Sequence, residues 1–162
     1  MTGESNRQAK SLLIIMALII FFMPGCRPGN YFSAVEQIPD SRWSARNRIS
    51  FDAGIADTLT PFDILFTIRS SSHYPYRNIF MFVTTVSPEG NRITDTLEYQ
   101  LADERGNWYG RGLSDIHDLS VPFKTDVIFP VSGSYSFRIQ HGMRTEDLDG
   151  IMDIGIRIRY RK

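Results

Sequence analysis

The sequence predicts an all-β domain, an antiparallel β-sandwich of about seven or eight strands with a jelly-roll-like or immunoglobulin-like arrangement. Three observations support this fold class. Apolar and polar residues alternate along most of the chain after residue 47, as they do in strands with one buried face. No useful length of chain after residue 26 has helical periodicity. Turn signals separate the alternating segments at regular intervals.

Composition excludes several other classes of protein. The 162 residues are 42% hydrophobic and 22% charged, which is typical of one globular domain and not of a disordered or polytopic membrane chain. The 18 basic and 18 acidic residues balance, whereas a nucleic-acid-binding domain usually has a basic excess. With one cysteine, the chain can form neither an internal disulfide nor a cysteine-cluster metal site.

The first 25 residues are typical of a signal peptide. Arg7 and Lys10 precede an unbroken apolar run from Leu12 to Met23, and Pro24 ends it. The run fits a signal-peptide hydrophobic region, whereas a membrane-spanning helix needs about 20 apolar residues. We therefore predict a lipoprotein signal peptide over residues 1–25.

Cys26 follows this segment directly, after the small residue Gly25. This is the position of the acylated cysteine in a bacterial lipobox, so we predict lipid attachment at Cys26 and a membrane anchor made by several acyl chains. The alternatives are an uncleaved N-terminal anchor and a buried core cysteine. Residues 26–46 are predicted to be the lipidated tether and N-terminal segment, with a short turn of helix near residues 34–37. Residues 47–162 are predicted to be the β-sandwich.

Strand patterns then follow in order. The continuous apolar run 79–83 (IFMFV) suits a central strand covered on both faces. The segment 87–91 (SPEGN) is predicted to form a hairpin loop. Pro122, Pro130 and the charged terminal strand 157–162 (RIRYRK) are predicted to protect sheet edges. Alternating segments occur at 49–55, 62–69, 93–101, 121–129, 134–141 and 154–160.

Residues that could carry catalysis or hold a metal do not form a recognisable set. There is no Gly-x-Ser-x-Gly motif, and the glycines of 110–114 (GRGLS) lack the lysine of a phosphate-binding loop. Asp115 and His117 are predicted to lie in a loop. In such a loop, a solvated pair is more common than a metal site. We therefore predict a protein that is not an enzyme and has no cofactor or metal.

Aromatic residues offer a binding surface instead. Tyr74 and Tyr76 flank a proline, and Trp108 and Tyr109 lie between two glycines. Such side chains at strand ends can contact a partner protein or a sugar ring, or can seal the end of the sandwich. His141 has the parity of a buried face, and the nearby Arg144 follows a strand end. The candidate partner-binding residues are Tyr74, Tyr76, Trp108, Tyr109, His141 and Arg144.

Taken together, the signal peptide, the lipobox and the β-rich domain resemble the GldH family of gliding-motility lipoproteins from Bacteroidetes. The matching stretches are 74–83 (YPYRNIFMFV), 95–103 (DTLEYQLAD), 108–116 (WYGRGLSDI), 139–144 (IQHGMR) and 154–158 (IGIRI).

The resemblance implies an envelope lipoprotein that supports gliding motility and the associated type IX secretion machinery, and it implies no catalytic residue. The expected partners are a membrane, through the lipid on Cys26, and envelope proteins of that machinery, with no nucleic acid. Because no acidic run follows Cys26, we expect the protein on the outer membrane, facing the periplasm. The alternative function is a glycan- or peptidoglycan-binding module that uses Trp108 and Tyr109.

Overall fold

A computed structural model describes residues 29–161, so the predicted signal peptide and Cys26 lie outside the described residues. In this range no helix is long and apolar enough to cross a membrane. A 3-10 turn covers Pro39–Ser41. The ten strands are β1 (Phe32–Gln37), β2 (Arg42–Ser44), β3 (Ile49–Ile55), β4 (Phe62–Ser71), β5 (Asn78–Val86), β6 (Arg92–Gln100), β7 (Ile116–Val127), β8 (Gly133–His141), β9 (Asp147–Asp149) and β10 (Ile151–Tyr160).

Eight of these strands form two four-stranded antiparallel sheets. One sheet has the order β1–β10–β4–β7 and the other β3–β8–β5–β6, while β2 and β9 form a small separate pair. Hydrogen bonds between a tyrosine hydroxyl and the backbone join the two sheets at both lateral edges. The Ala56 backbone N–H donates to the Tyr31 hydroxyl at 2.7 Å, and the Tyr99 hydroxyl donates to the Pro122 carbonyl at 2.9 Å. The all-β sandwich predicted from the alternation is confirmed.

The core lies between the two sheets and is built from the inward-facing residues of the alternating strands. In β3, β4 and β8, every second residue is buried, as the sequence predicts. The hairpin loop is also confirmed, because the Ser87 N–H donates to the Asn91 carbonyl at 2.9 Å between β5 and β6. The largest fully buried side chains are Trp43, Phe62, Phe66 and Phe137.

The N-terminal segment differs most from its prediction. The helical turn near residues 34–37 is wrong, since Phe32–Gln37 forms β1 and pairs antiparallel with β10 from Phe32 opposite Ile158. Trp43, in β2, is fully buried in the core. The sandwich therefore includes residues 32–44 and begins well before residue 47, the start that the sequence predicts.

Two strand assignments also need correction. The strand β5 is central in its sheet, but Phe82 is 41% exposed, so only one face of the strand is covered. The strand β10 lies between β1 and β4 and is not an edge. Its charged residues point outward, and the unpredicted strand β1 covers the side that would otherwise be open. Pro122 does lie on an edge strand, β7.

The strand directions place the loops at two opposite ends of the sandwich. The N-terminal end carries residues 29–31, the loops 56–61, 87–91 and 128–132, and the last residues of β10. The distal end carries the loops 72–77, 101–115 and 142–146 and the small β2–β9 sheet.

Candidate functional site

Tyr74 forms the base of an aromatic cluster at the distal end. It follows β4 in a tight turn, in which its N–H donates to the Ser71 carbonyl at 3.0 Å. Its hydroxyl donates to the Asn78 carbonyl at 2.8 Å, and only 4% of the residue is exposed. Burial raises the pKa of the Tyr74 hydroxyl, so the group stays neutral and acts as a donor. Tyr74 is therefore a structural support and not a contact residue.

Gly150 makes room for this tyrosine. Its φ is +90°, and a Cβ at this position would lie 2.7 Å from the backbone of Tyr74. Any other residue would strain its own backbone and displace the turn below the cluster. Gly150, between β9 and β10, thus helps to position Tyr74 at the distal end.

Three further rings complete the cluster, two packed near Tyr74 and the third stacked on Trp108. The Tyr76 ring packs edge-on against it at 5.7 Å between centroids, and the Trp108 ring lies at 6.4 Å. Trp108 also stacks on His117 at 4.9 Å with an interplanar angle of 11°. The His117 Nε2 lies 3.0 Å from the Ser72 hydroxyl. Tyr76, Trp108 and His117 are half-buried, so they can both pack inward and present an edge to solvent.

The loop 101–115 carries Trp108 and is held by its own hydrogen bonds. The Asp103 carboxylate accepts the N–H groups of Arg105 and Asn107 at 2.8 Å each. The side-chain amide of Asn107 donates to the same carboxylate, and these bonds lower the pKa of Asp103. The loop returns to the sandwich through paired backbone bonds between Arg111 and Asp118 at 2.8 and 2.9 Å. It is thus a folded platform.

This platform exposes apolar side chains. Tyr109 is 57% exposed, Leu113 is 89% exposed and Ile116, at the start of β7, is 37% exposed. We call Tyr76, Trp108, Tyr109, Leu113 and Ile116 the distal surface. Exposed apolar groups concentrated on one loop are typical of an interaction surface.

His141 lies apart from this surface, inside the core. Only 2% of the residue is exposed, and its ring packs edge-on against Trp43 at 5.4 Å. Among the described residues, neither ring nitrogen has a partner in hydrogen-bonding geometry. Burial lowers the pKa of His141, while the nearby backbone of Glu146 and Trp43 and the Asp147 carboxylate oppose this effect. The ring is therefore held neutral, and it cannot contact a partner.

The buried histidine makes stability depend on pH. Because its folded-state pKa lies below the unfolded value of about 6.5, the unfolded chain alone takes up the proton as the pH falls below that value. The contribution of His141 to the free energy of unfolding should therefore be independent of pH above about pH 6.5 and decrease on acidification until the folded-state pKa is passed. Urea unfolding followed between pH 5 and 7.5 measures the slope. His141→Gln should reduce the slope of the free energy of unfolding against pH. His73→Gln, which changes an exposed turn residue, should leave that slope unchanged. An equal slope in the His141 variant would contradict this assignment.

The six sequence candidates thus have different positions. Tyr76, Trp108 and Tyr109 lie on the distal surface, Tyr74 supports it from below, and His141 is buried in the core. Arg144 is exposed at the same end, in the loop 142–146, and has no ion pair within the described part of the chain. The sequence reasoning missed His117 as the stacking partner of Trp108, and it missed Leu113 and Ile116. The signal for Leu113 was its position directly after Gly112 in a loop, where no strand alternation would bury it; Ile116 gave no such signal.

Arg69 is at the centre of a cluster of ion pairs between strands. Arg69 donates to Asp118 at 2.6 Å and to Asp153 at 3.0 Å, which links β4, β7 and β10. Burial raises the pKa of Asp153 above its usual value, and the Arg69 guanidinium opposes only part of this increase. Within residues 29–161, no group of three or more His, Cys, Asp or Glu side chains could hold a metal ion. The exposed side chains of the distal surface are apolar and aromatic.

Comparison with known proteins identifies the family. The model of the GldH lipoprotein family matches residues 30–158. The chain belongs to the GldH lipoprotein family. It is 31% identical over 159 residues to the gliding motility lipoprotein GldH homolog of Christiangramia forsetii, covering 94% of this chain and 96% of that protein. It is 30% identical over 162 residues to the gliding motility lipoprotein GldH of Flavobacterium johnsoniae, covering 96% and 99%. The resemblance predicted from the sequence motifs is confirmed.

The similarity of this chain to solved structures is weak. The CBM35 from Cellvibrio japonicus Abf62 aligns with a TM-score of 0.31 and 14% identity, covering 86% of this chain and 85% of that chain. The VP2 subviral particle of infectious bursal disease virus aligns with a TM-score of 0.33 and 14% identity, covering 83% and 35%. Likeness at this level carries no argument about function.

Proposed function

We propose that this chain is a lipid-anchored envelope lipoprotein that acts as a non-enzymatic interaction component of the gliding-motility and type IX secretion-associated machinery. Membership of the GldH lipoprotein family and the names of two relatives support the motility assignment. The position of Cys26 directly after a signal peptide supports the anchor. The secretion association comes from the family resemblance.

The lipid places the domain at a membrane surface, and we propose the outer membrane with the domain facing the periplasm. The residues after Cys26 (RPGN) contain no acidic run, which is unlike the surface-export signals of Bacteroidetes lipoproteins. Tethering raises the effective concentration of the domain near envelope proteins, so a modest intrinsic affinity is enough for binding.

The observation that carries the interaction role is the distal surface. It combines the half-buried Trp108 with the exposed Tyr109 and Leu113 on the folded loop 101–115, and with the exposed Ile116 at the start of β7. Tyrosine and tryptophan in such settings contribute most of the binding energy at many protein interfaces. Because the loop is held by internal hydrogen bonds, little ordering entropy is lost when it binds.

A protein partner fits this surface better than a sugar. Sugar stacking needs an open aromatic face, and one face of Trp108 is covered by His117. The two most exposed apolar side chains on the same loop as Trp108 are Leu113 and Tyr109, and an aliphatic leucine suits a pocket on a protein.

Affinity purification of the tagged, lipidated chain from its native envelope, read by mass spectrometry, tests the proposal. We expect components of the motility or secretion machinery to be recovered. Trp108→Ala and Tyr109→Ala should each reduce their recovery by about tenfold or more, which corresponds to about 1.4 kcal/mol or more at an interface hot spot. Val35→Ala is the matched control, because Val35 and Tyr109 are both 57% exposed and Val35 lies on the edge strand β1.

Two results would contradict the proposal. Equal recovery from the Trp108, Tyr109 and Val35 variants would show that the distal surface is not the contact. Recovery of peptidoglycan or other glycan fragments, with no protein partner and with loss in Trp108→Ala, would establish the glycan-binding alternative.

A further inference from the structure

We propose that the N-terminal end of the sandwich rests on the lipid bilayer, with the loops 56–61 and 128–132 inserted into the membrane interface. This inference rests on the proposed lipid anchor and goes beyond it. It gives the orientation of the domain and a second membrane contact made by side chains.

The first support is the short distance along the chain between Cys26 and the sandwich. The Tyr31 N–H donates to the Ile158 carbonyl at 2.7 Å, which holds residue 31 against the C-terminal part of β10 at this end. Cys26 lies only three residues before Gly29. Three residues span at most about 10 Å. A lipid on Cys26 therefore attaches close to this end and holds it near the membrane.

The second support is the apolar side chains that this end exposes. Leu59 is 86% exposed and Ile128 is 56% exposed, each at a loop that connects two strands of the sandwich. The loop of Leu59 is ordered, since the Asp57 carboxylate accepts the N–H groups of Leu59 and Thr60 at 2.9 Å each. The leucine is thus displayed outward by a folded turn instead of being collapsed onto the core.

The third support is a cluster of three aromatic side chains next to these loops. Tyr31, Phe62 and Tyr160 pack against one another with centroids 5.0 to 5.5 Å apart, and Tyr160 is 42% exposed. Tyrosine is favoured at membrane–water interfaces, where its ring meets apolar groups and its hydroxyl meets water. The Tyr31 hydroxyl itself accepts the Ala56 N–H.

An apolar cleft opens at the same end. It has a volume of about 300 Å³ and is lined by residues that include Ile93, Phe123, Ile128 and Val131. Three ion pairs lie nearby, Arg161 with Asp126 at 2.9 Å, Arg159 with Asp63 at 3.3 Å and Lys124 with Asp95 at 2.9 Å, while Asp57 and Glu89 form no ion pair among the described residues. Basic and acidic groups are thus mixed at this end, and its exposed apolar side chains favour contact with lipid over attraction to a partner of one charge.

Leu113 provides a matched control. It is 89% exposed, nearly the same as Leu59, but it lies on the distal surface at the opposite end. The chain has a single cysteine, which carries the lipid, so an introduced cysteine can be labelled selectively. Full-length lipidated variants Leu59→Cys, Ile128→Cys and Leu113→Cys are labelled with an environment-sensitive fluorophore. They are then bound to vesicles of phosphatidylethanolamine and phosphatidylglycerol with no other protein present.

We expect the labels at positions 59 and 128 to shift to shorter emission wavelength on vesicle binding and to become protected from aqueous iodide, while the label at 113 does neither. Flotation with the vesicles is measured first. A chain that does not float would overturn the lipid anchor and the docking with it. A chain that floats with all three labels in water would overturn the docking and leave the anchor intact. Protection at position 113 equal to that at position 59 would overturn the orientation.

Discussion

Cys26→Ala is expected to move the mature chain from the membrane fraction to the soluble fraction almost completely. One acyl chain gives only marginal membrane binding, whereas two or more anchor a protein stably. The docking loops would add Leu59 and Ile128, which are too few apolar side chains to hold the domain alone. Loss of the lipid should therefore remove both the location and the function.

The fold of this variant should be unchanged, because the first strand of the sandwich begins at Phe32, six residues after Cys26. Far-ultraviolet circular dichroism and protease resistance measure this, and both should match the lipidated protein. Cell fractionation with complementation of the motility or secretion defect gives the functional result. Full complementation by the soluble variant would contradict the anchored role, and incorporation of labelled fatty acid into the Cys26→Ala chain equal to that of the parent would contradict the lipid assignment.

Trp43→Ala is expected to lower the free energy of unfolding by about 3–5 kcal/mol, the range for removing a buried aromatic side chain. Trp43 has no exposed surface, packs on His141 and donates its Nε1–H to the Asn47 carbonyl at 2.9 Å. It stands in the small β2–β9 sheet, in the segment that the sequence assigns to the tether. The expected loss would show that this segment is part of the cooperative fold.

Chemical unfolding followed by far-ultraviolet circular dichroism measures this change without using tryptophan fluorescence. Val35→Thr is the matched control in the same segment, because Val35 is 57% exposed on β1 and threonine keeps the β-branched shape. It should change the free energy of unfolding by no more than about 0.5 kcal/mol. A loss below about 1 kcal/mol in Trp43→Ala would contradict the placement of residues 32–44 in the sandwich.

The strands that could be predicted are those with one buried face. In β3 all four apolar residues, from Ile49 to Ile55, are buried, so the period of two is complete. In contrast, β1 is an edge strand in which only Phe32 and Ala34 are half-buried, and its pattern is too weak to distinguish from a helical turn. The central position of β10 could not be predicted either, because it depends on pairing with β1 and β4 between residues that are more than 80 positions apart.

The distal surface could be predicted only in part. Glycines around Trp108 and Tyr109 indicated a loop with aromatic residues, and the loop is present. The burial of Tyr74 could not be foreseen, because it results from the approach of Gly150 from another strand connection. The stack of Trp108 on His117 likewise depends on how the loop 101–115 closes onto β7. Long-range packing of this kind leaves no periodic signal in the sequence.

The central claim is that the two ends of the sandwich have different neighbours, a protein at the distal surface and lipid at the N-terminal end. Site-specific photocrosslinking in living cells tests it most directly, with a photoreactive residue placed at position 109 or at position 59 of the lipidated chain. We expect position 109 to form a defined crosslink to an envelope protein, and position 59 to form none to protein. A protein crosslink from position 59 with none from position 109 would contradict the account.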